Sequence, residues 1–476
     1  MTDSYAPGAA TWWWPPRHAS PLVRRLCLLA IIGLMLWLGR VGLGQIWSGG
    51  PDFEYFYKCG RWLLEHGSLD RGMDIVHGQV VERGTLDWYL PSVARFMTVL
   101  AWLPYELAGV GWLALGLLAV WATLRLIGRH LSGLPPKDWP VTQLVPFLVL
   151  MAYWNWEFAL VQVNSITLLL VVASFVHWQQ GRRLVAGFWL GLATLLKLTP
   201  GLLLLWFALK RQGRTVAVAL ATVVLAGPLA DLAALGPAQT GDAYRVWFER
   251  ALVSGSQRGL ILSQTEMDWR NSGLGAVLAR LLHPVNYNTH FDNDARIQAR
   301  YANLPPRTMN LVNVPLPTVA NLVTVILAMT LVAAIWLTRR PATHLTAWQL
   351  RFEWALFVLL MLWAMPVMRR YHLIWTLPVL SLLAAALHYS GFAGRWVRLT
   401  WFCLGLALAA QLSLLWMPLE AGGAILASVI ALGVPVVALL RRLEKLPMAL
   451  PSPLFPRSTL GAPTPWPSGQ PVTAHA

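Results

Sequence analysis

Charged side chains are scarce in this sequence. Asp, Glu, Lys and Arg make up 12% of its 476 residues, against roughly 25% in a soluble globular chain. So few charges exclude an ordinary water-soluble domain and leave a chain that meets lipid over much of its length. Cysteine is equally sparse. Cys27, Cys59 and Cys403 lie far apart, which excludes a disulfide framework and a cysteine metal site. The sequence has no phosphate-binding Gly-rich loop of the nucleotide-binding type and no dinucleotide fingerprint, so a nucleotide-sugar substrate is disfavoured. No internal repeat is evident, which argues against an inverted-repeat transporter. His283, His290, Asp292 and Asp294 match no metal-ligand spacing, so neither a metal nor a cofactor is expected.

Apolar residues fill the space that charge vacates. They amount to 57% of the chain, and 27 Trp include several at the edges of apolar runs, among them Trp37, Trp88, Trp206 and Trp416. Apolar runs long enough to span hydrocarbon predict ten crossings, at 22–43, 106–128, 141–158, 161–178, 213–233, 318–338, 352–368, 371–389, 397–417 and 420–440. Two further stretches do not fit simple crossings. The segment 91–104 is short and bracketed by Pro91 and Pro104; 184–209 is broken by Lys197, Pro200 and Gly201. Both ends of the latter are basic (Arg182, Arg183; Lys210, Arg211, Arg214), which predicts a re-entrant hairpin that returns to the side it left. With the N-terminus cytoplasmic, every short inside loop is basic. The positive-inside rule thus explains the net charge of +16 better than nucleic acid does.

The domain division that follows is a tail over 1–21, a membrane domain over 22–440 and a disordered cytoplasmic tail over 441–476. Two long external loops, 44–90 and 234–317, face the non-cytoplasmic side. The first opens with an amphipathic helix headed by Asp52. Phe53, Phe56, Tyr57, Gly60, Leu63 and Leu64 share one face, while Glu54–Lys58 and Arg61–Glu65 pair at i,i+4 on the other. Such a helix is expected to lie on the membrane surface.

A few polar residues stand out against this background. Lys197 is an ammonium inside an apolar stretch, which is costly and usually functional; the alternative is a lysine that snorkels to the interface. Arg369, Arg370 and His372 run against the positive-inside trend at an outer helix start. They serve either headgroup binding or recognition of a phosphate. Asp52 reads as a helix cap or as a catalytic carboxylate. Gln162 and Asn164 either donate to a substrate or satisfy a tight turn. Asp231 reads as a helix-end residue rather than a ligand.

Several segments in order resemble glycosyltransferase family 87. Asp52–Tyr57 looks like that family's first-loop entry, and Trp88-Tyr89-Leu90-Pro91 is similar to its Tyr-x-Tyr-x-Pro region. Gln162-Val163-Asn164 resembles its Gly-Gln-x-Asn motif, with Val161 where the family has Gly. Ala186–Ala193 followed by Lys197-Leu198-Thr199-Pro200 matches most closely. Arg270–Leu274 through Arg280 and Arg370-Tyr371-His372 complete the pattern. The resemblance implies an all-α polytopic membrane protein, a GT-C-like bundle of about ten crossings with two re-entrant or half-length segments and amphipathic helices in external loops. It also implies a bacterial inner-membrane enzyme that moves a hexose, mannose in the family, from a polyprenyl-phosphate donor to a glycolipid or glycan acceptor. Transfer would invert the anomeric centre on the periplasmic side. Asp52 would be the base and His372 a second catalytic group, with Lys197, Arg369, Arg370, Gln162, Asn164, Tyr89, Asn271 and Arg280 binding substrate. The competing reading is a lipid-linked sugar transporter or flippase. In either case the bilayer is a partner and nucleic acid is not.

Overall fold

The computed structural model describes residues 19–49, 52–68, 73–76, 79–82, 89–133, 136–288, 305–389 and 395–444. Trp88, His290, Asp292, Asp294 and most of both expected tails lie outside them. The chain is an all-α polytopic membrane protein; one short hairpin, Met73–Val76 paired antiparallel with Gln79–Glu82, interrupts the helices. Among the described residues, 8 helices are long and apolar enough to cross a membrane: Pro21–Ser48, Tyr105–Leu131, Gly213–Ser254, Leu316–Thr338, Ala347–Ala364, Arg370–Leu387, Trp396–Leu415 and Ala424–Glu444.

The difference from ten has a physical origin at each place. The expected crossing 141–158 is split at Leu150 into Trp139–Val149 and Met151–Ala159. Pro146 sits inside the first piece, where a proline cannot donate the helical hydrogen bond. The expected crossing 161–178 is a 16-residue helix, Asn164–Gln179, about 24 Å long at 1.5 Å per residue. It is short because it stands inside the bundle, where neighbouring helices rather than lipid surround it. Nearly all of its side chains are buried, as are those of Ala347–Ala364. Phe175 stacks on Trp354 at 4.4 Å and joins these two central helices. Pro21–Ser48, Leu316–Thr338 and Trp396–Leu415 instead leave much of their apolar surface exposed.

The segment 184–209 forms the hairpin expected of it. Arg183–Leu196 is helical and ends at Lys197, whose backbone is extended (φ −155°, ψ 127°). Pro200 opens the tight turn Thr199–Gly201, and Leu202–Leu209 follows. The next helix, Gly213–Val224, lies parallel to the first arm: Gly187 faces Thr215 and Val218, and Gly191 faces Ala219 and Thr222. Two parallel arms separated by Leu202–Leu209 require that segment to carry the chain back. Both basic ends therefore sit at one level and Lys197 at the apex. At the basic end, buried Lys210 pairs with Glu353 and donates to the Arg340 carbonyl at 2.8 Å.

The Asp52–His66 helix departs from its expected place. Phe53, Phe56, Gly60 and Leu63 are buried, but against protein rather than lipid. Gly60 lies on the Met97 backbone, close enough to admit no Cβ, and Phe53 stacks on Trp112 at 6.1 Å. Leu64 faces outward instead. The half-length helix Ser92–Ala101 is thus the seat of the first loop, which ties Asp52 to the bundle. Arg95 anchors that seat: it pairs at 2.6 Å with Asp231, which is fully buried and also accepts from Tyr244 at 2.9 Å. Asp231 is therefore an interior ion-pair partner as well as the helix-end residue expected, in the first turn of Ala230–Trp247.

These contacts predict that Gly187→Ala lowers stability by roughly 1–3 kcal/mol, the usual cost of overpacking. A Cβ there would stand 2.5 Å from the Thr215 carbonyl. Gly213→Ala, which meets open space, should melt like the parent. Thermal melting of both variants in detergent measures the difference, and equal melting temperatures would contradict the parallel packing.

Candidate active site

The described structure brings together residues that are far apart in sequence. The turn between Met151–Ala159 and Asn164–Gln179 supplies the centre. Its Gln162 side chain donates to the Asp52 carboxylate. Two residues on, Asn164 accepts from the Lys197 amine at 2.6 Å. The Lys197 amine is also 2.6 Å from His372 Nε2 and 5.7 Å from the Trp375 ring centroid. The Arg369 backbone N–H donates to His372 Nδ1 at 2.9 Å. A neutral ring that accepts at Nδ1 carries its proton on Nε2, facing the amine, so His372 can donate only to a neutral amine and leaves an ammonium to Asn164 and the Trp375 face. A carboxylate and a cation thus flank one three-residue turn.

Tyr89 and Glu157 complete the cluster. Tyr89 packs edge-on against Phe56 at 5.0 Å. Burial, reinforced by the nearby Asp52 and Glu157 carboxylates, raises its phenol well above the ordinary value and keeps it a proton donor. Sequence reasoning misses Glu157, which belongs to none of the motifs above. It is 1% exposed, accepts from Asn164 Nδ2 at 2.9 Å and from the Ser165 N–H at 2.8 Å. A lone carboxylate near the end of an apolar run is the signal that marks it. Beside this cluster an apolar cavity of about 430 Å³ is lined by Met97, Trp112, Leu115, Ile166, Leu192 and Leu196. Its lining residues Leu196 and Ile166 are the chain neighbour of Lys197 and the second residue after Asn164.

The remaining expected site residues form the surrounding scaffold. Arg280 is fully buried and donates to the carbonyls of Ala421 (2.8 Å), Asp268 (2.7 Å) and Asn271 (2.8 Å). Burial lowers its guanidinium to about 10. Asn271 is equally buried; it accepts from Gly273 N and Met368 N and donates to the Glu266 and Pro366 carbonyls. These two residues knit the second loop to the segment before His372. Arg369 and Arg370, expected to bind the donor phosphate, have carboxylate partners here. Arg369 donates to both Asp268 oxygens at 2.9 and 3.1 Å and to Glu266. Arg370 donates to Glu420 through Nε at 2.7 Å and through Nη2. It lies between the Trp156 and Trp269 rings at 5.1 and 5.2 Å. Burial alone would raise the Asp268 carboxyl, but Arg369 and Arg270 outweigh it and hold it well below the usual carboxylate range. Local sequence carries no sign of these pairings, because the carboxylates lie as many as 103 positions away.

Comparison with known proteins adds an independent line. Residues 88–366 match the model of glycosyltransferase family 87. A polyprenol-phosphate-mannose-dependent alpha-(1-2)-phosphatidylinositol mannoside mannosyltransferase of Mycobacterium tuberculosis is 28% identical over 243 residues, 45% of this chain and 53% of that protein. The enzyme of the same description from Mycolicibacterium smegmatis is 30% identical over 218 residues, 42% of this chain and 47% of its own. The chain thus matches about half the length of these curated relatives. No solved structure matches.

Val161 opens the central turn with φ +48°. A β-branched residue is strained there, and glycine is not. Val161→Gly should therefore stabilise the protein, relieving roughly 1–3 kcal/mol of stored strain less the added chain entropy of glycine, with the cluster intact. A rise in melting temperature checks this; a fall would show that the Val161 side chain contributes more than its backbone costs.

Proposed function

The chain belongs to glycosyltransferase family 87, and from that premise we propose that it transfers a hexose, of the mannose class, from a polyprenyl-phosphate donor to a glycolipid or glycan acceptor. The observation that carries this reading is the joining of Asp52 and Lys197 through one turn, Gln162 at one end and Asn164 at the other. Inverting transfer from such a donor needs a base at the acceptor and a cation at the departing phosphate. The acceptor hydroxyl gives its proton to Asp52 as its oxygen bonds to the anomeric carbon. The bond from that carbon to the phosphate oxygen breaks, and the charge left on the phosphate is met by Lys197. Gln162 orients the carboxylate, Tyr89 supplies a donor beside it, and Asn164 holds the amine. The apolar cavity next to Lys197 suits a hydrocarbon-linked donor. Both curated relatives are named for a polyprenol-phosphate-mannose donor and a glycolipid acceptor. Arg369, Arg370, Asn271 and Arg280 shape the site without contacting the phosphate.

The site is proposed to face the non-cytoplasmic side of a bacterial inner membrane. Arg183 and Lys210 lie at the hairpin's opposite end, Lys210 against the Arg340 backbone, where the positive-inside rule puts the cytoplasm.

Asp52→Asn keeps the size and capping capacity of the side chain and removes the base. Turnover should fall by about 10²–10⁴, the usual contribution of a general base, while donor binding persists. Lys197→Met should weaken donor binding or turnover without loss of insertion. The assay is transfer by the purified protein from synthetic polyprenyl-phosphate mannose to a glycolipid acceptor. Parent-like turnover in Asp52→Asn would remove it as base, and parent-like kinetics in Lys197→Met would remove the phosphate contact.

A further inference from the structure

The central turn is held by a residue that itself reaches no open space. Glu157 makes three attachments to it. Its backbone carbonyl accepts from Gln162 N at 3.0 Å. One carboxylate oxygen accepts from Ser165 N at 2.8 Å, and the other from Asn164 Nδ2 at 2.9 Å. The Asn164–Gln179 helix has no side-chain cap from Val163, the residue in the N-cap position. Glu157 fills that need from the preceding helix, with a negative charge at the positive end of the dipole.

Asn164 then has only one way to sit. A carboxylate can only accept, so the amide nitrogen must face Glu157 and the amide oxygen must face Lys197. That oxygen is 2.6 Å from the Lys197 amine. The Asn164 side chain is fully buried with both ends engaged, so it acts on Lys197 rather than on a substrate. We infer that Glu157 is a positioning residue: by fixing the amide orientation of Asn164 it directs the Lys197 amine toward the donor phosphate. This rests on the functional reading of Lys197 given above and extends it by one residue outward.

The hydrogen-bond polarity can be reversed to test it. In Glu157→Gln, the amide oxygen still caps Ser165 N–H, but the new amide nitrogen opposes that of Asn164. Asn164 must turn over and present its own nitrogen to the lysine. The variant should fold and melt near the parent, while kcat/KM for the donor falls at least about tenfold, the scale of one lost hydrogen bond to a charged group. KM for the acceptor should not move, whereas a merely structural defect would disturb both substrates. Adding Asn164→Asp to Glu157→Gln restores an acceptor toward both the introduced amide and Lys197, and should recover most of the loss. Asn164→Asp alone sets two carboxylates face to face and should be impaired. If Glu157→Gln is too unstable to purify, the double variant is compared with Asn164→Asp, over which it should be the better enzyme. Parent-like kinetics in Glu157→Gln, or a double variant no better than the single ones, would overturn the inference. The functional reading fails separately, if Lys197→Met is as active as the parent.

Discussion

An ammonium inside an apolar bundle is costly unless polar groups meet it, and Lys197 is where this chain faces that constraint. The helix that leads to it stops there, the backbone extends, and Pro200 turns the chain back. The apex so formed sits among Asn164, His372 and Trp375, drawn from two other parts of the fold. Each polar partner in turn has its own support: Asn164 from Glu157, and His372 from the Arg369 backbone. Satisfying one cation organises three segments and brings Asp52, through Gln162, to the same turn.

The outer scaffold solves the same problem with closed pairs. Asp268, 1% exposed, is held by Arg369 and Arg270, while Glu420 is held by Arg370. Arg280 satisfies carbonyls of the second loop and of Ala421 together. Breaking a buried pair of this kind leaves an uncompensated charge, a loss of roughly 3–5 kcal/mol. These arginines therefore fix the frame in which His372 is presented. Arg369 and Arg370 differ from Lys197 in that their side chains pair with carboxylates, whereas the Lys197 amine donates to an amide oxygen.

Much of this is legible in the sequence where local chemistry decides. Apolar runs announce the crossings, and basic ends with an internal Lys and Pro announce the hairpin. The alternating faces of Asp52–His66 announce its helix. Helix spacing does not say what covers that helix, because Ser92–Ala101 competes with lipid for the same apolar face. Nor does it tell Arg369 and Arg370 from a phosphate site, since a guanidinium meets carboxylates and phosphates through the same fork. Glu157 shows the same limit: its charge is visible, but its role depends on a turn that closes over it. Val161 shows the reverse. The family pattern places glycine there, and the left-handed backbone supplies the reason.

Everything proposed for the reaction turns on whether the donor phosphate is met by Lys197 rather than by the paired arginines. A cryo-electron-microscopy structure of the protein with a non-hydrolysable polyprenyl-phosphonate mannose decides between them. With Lys197 as the phosphate contact, a phosphonate oxygen lies within hydrogen-bond reach of its Nζ and the anomeric carbon faces Asp52. Arg369 and Arg370 then remain on Asp268, Glu266 and Glu420. A phosphonate held by either arginine with those carboxylates displaced, and Lys197 remote from it, would contradict this assignment.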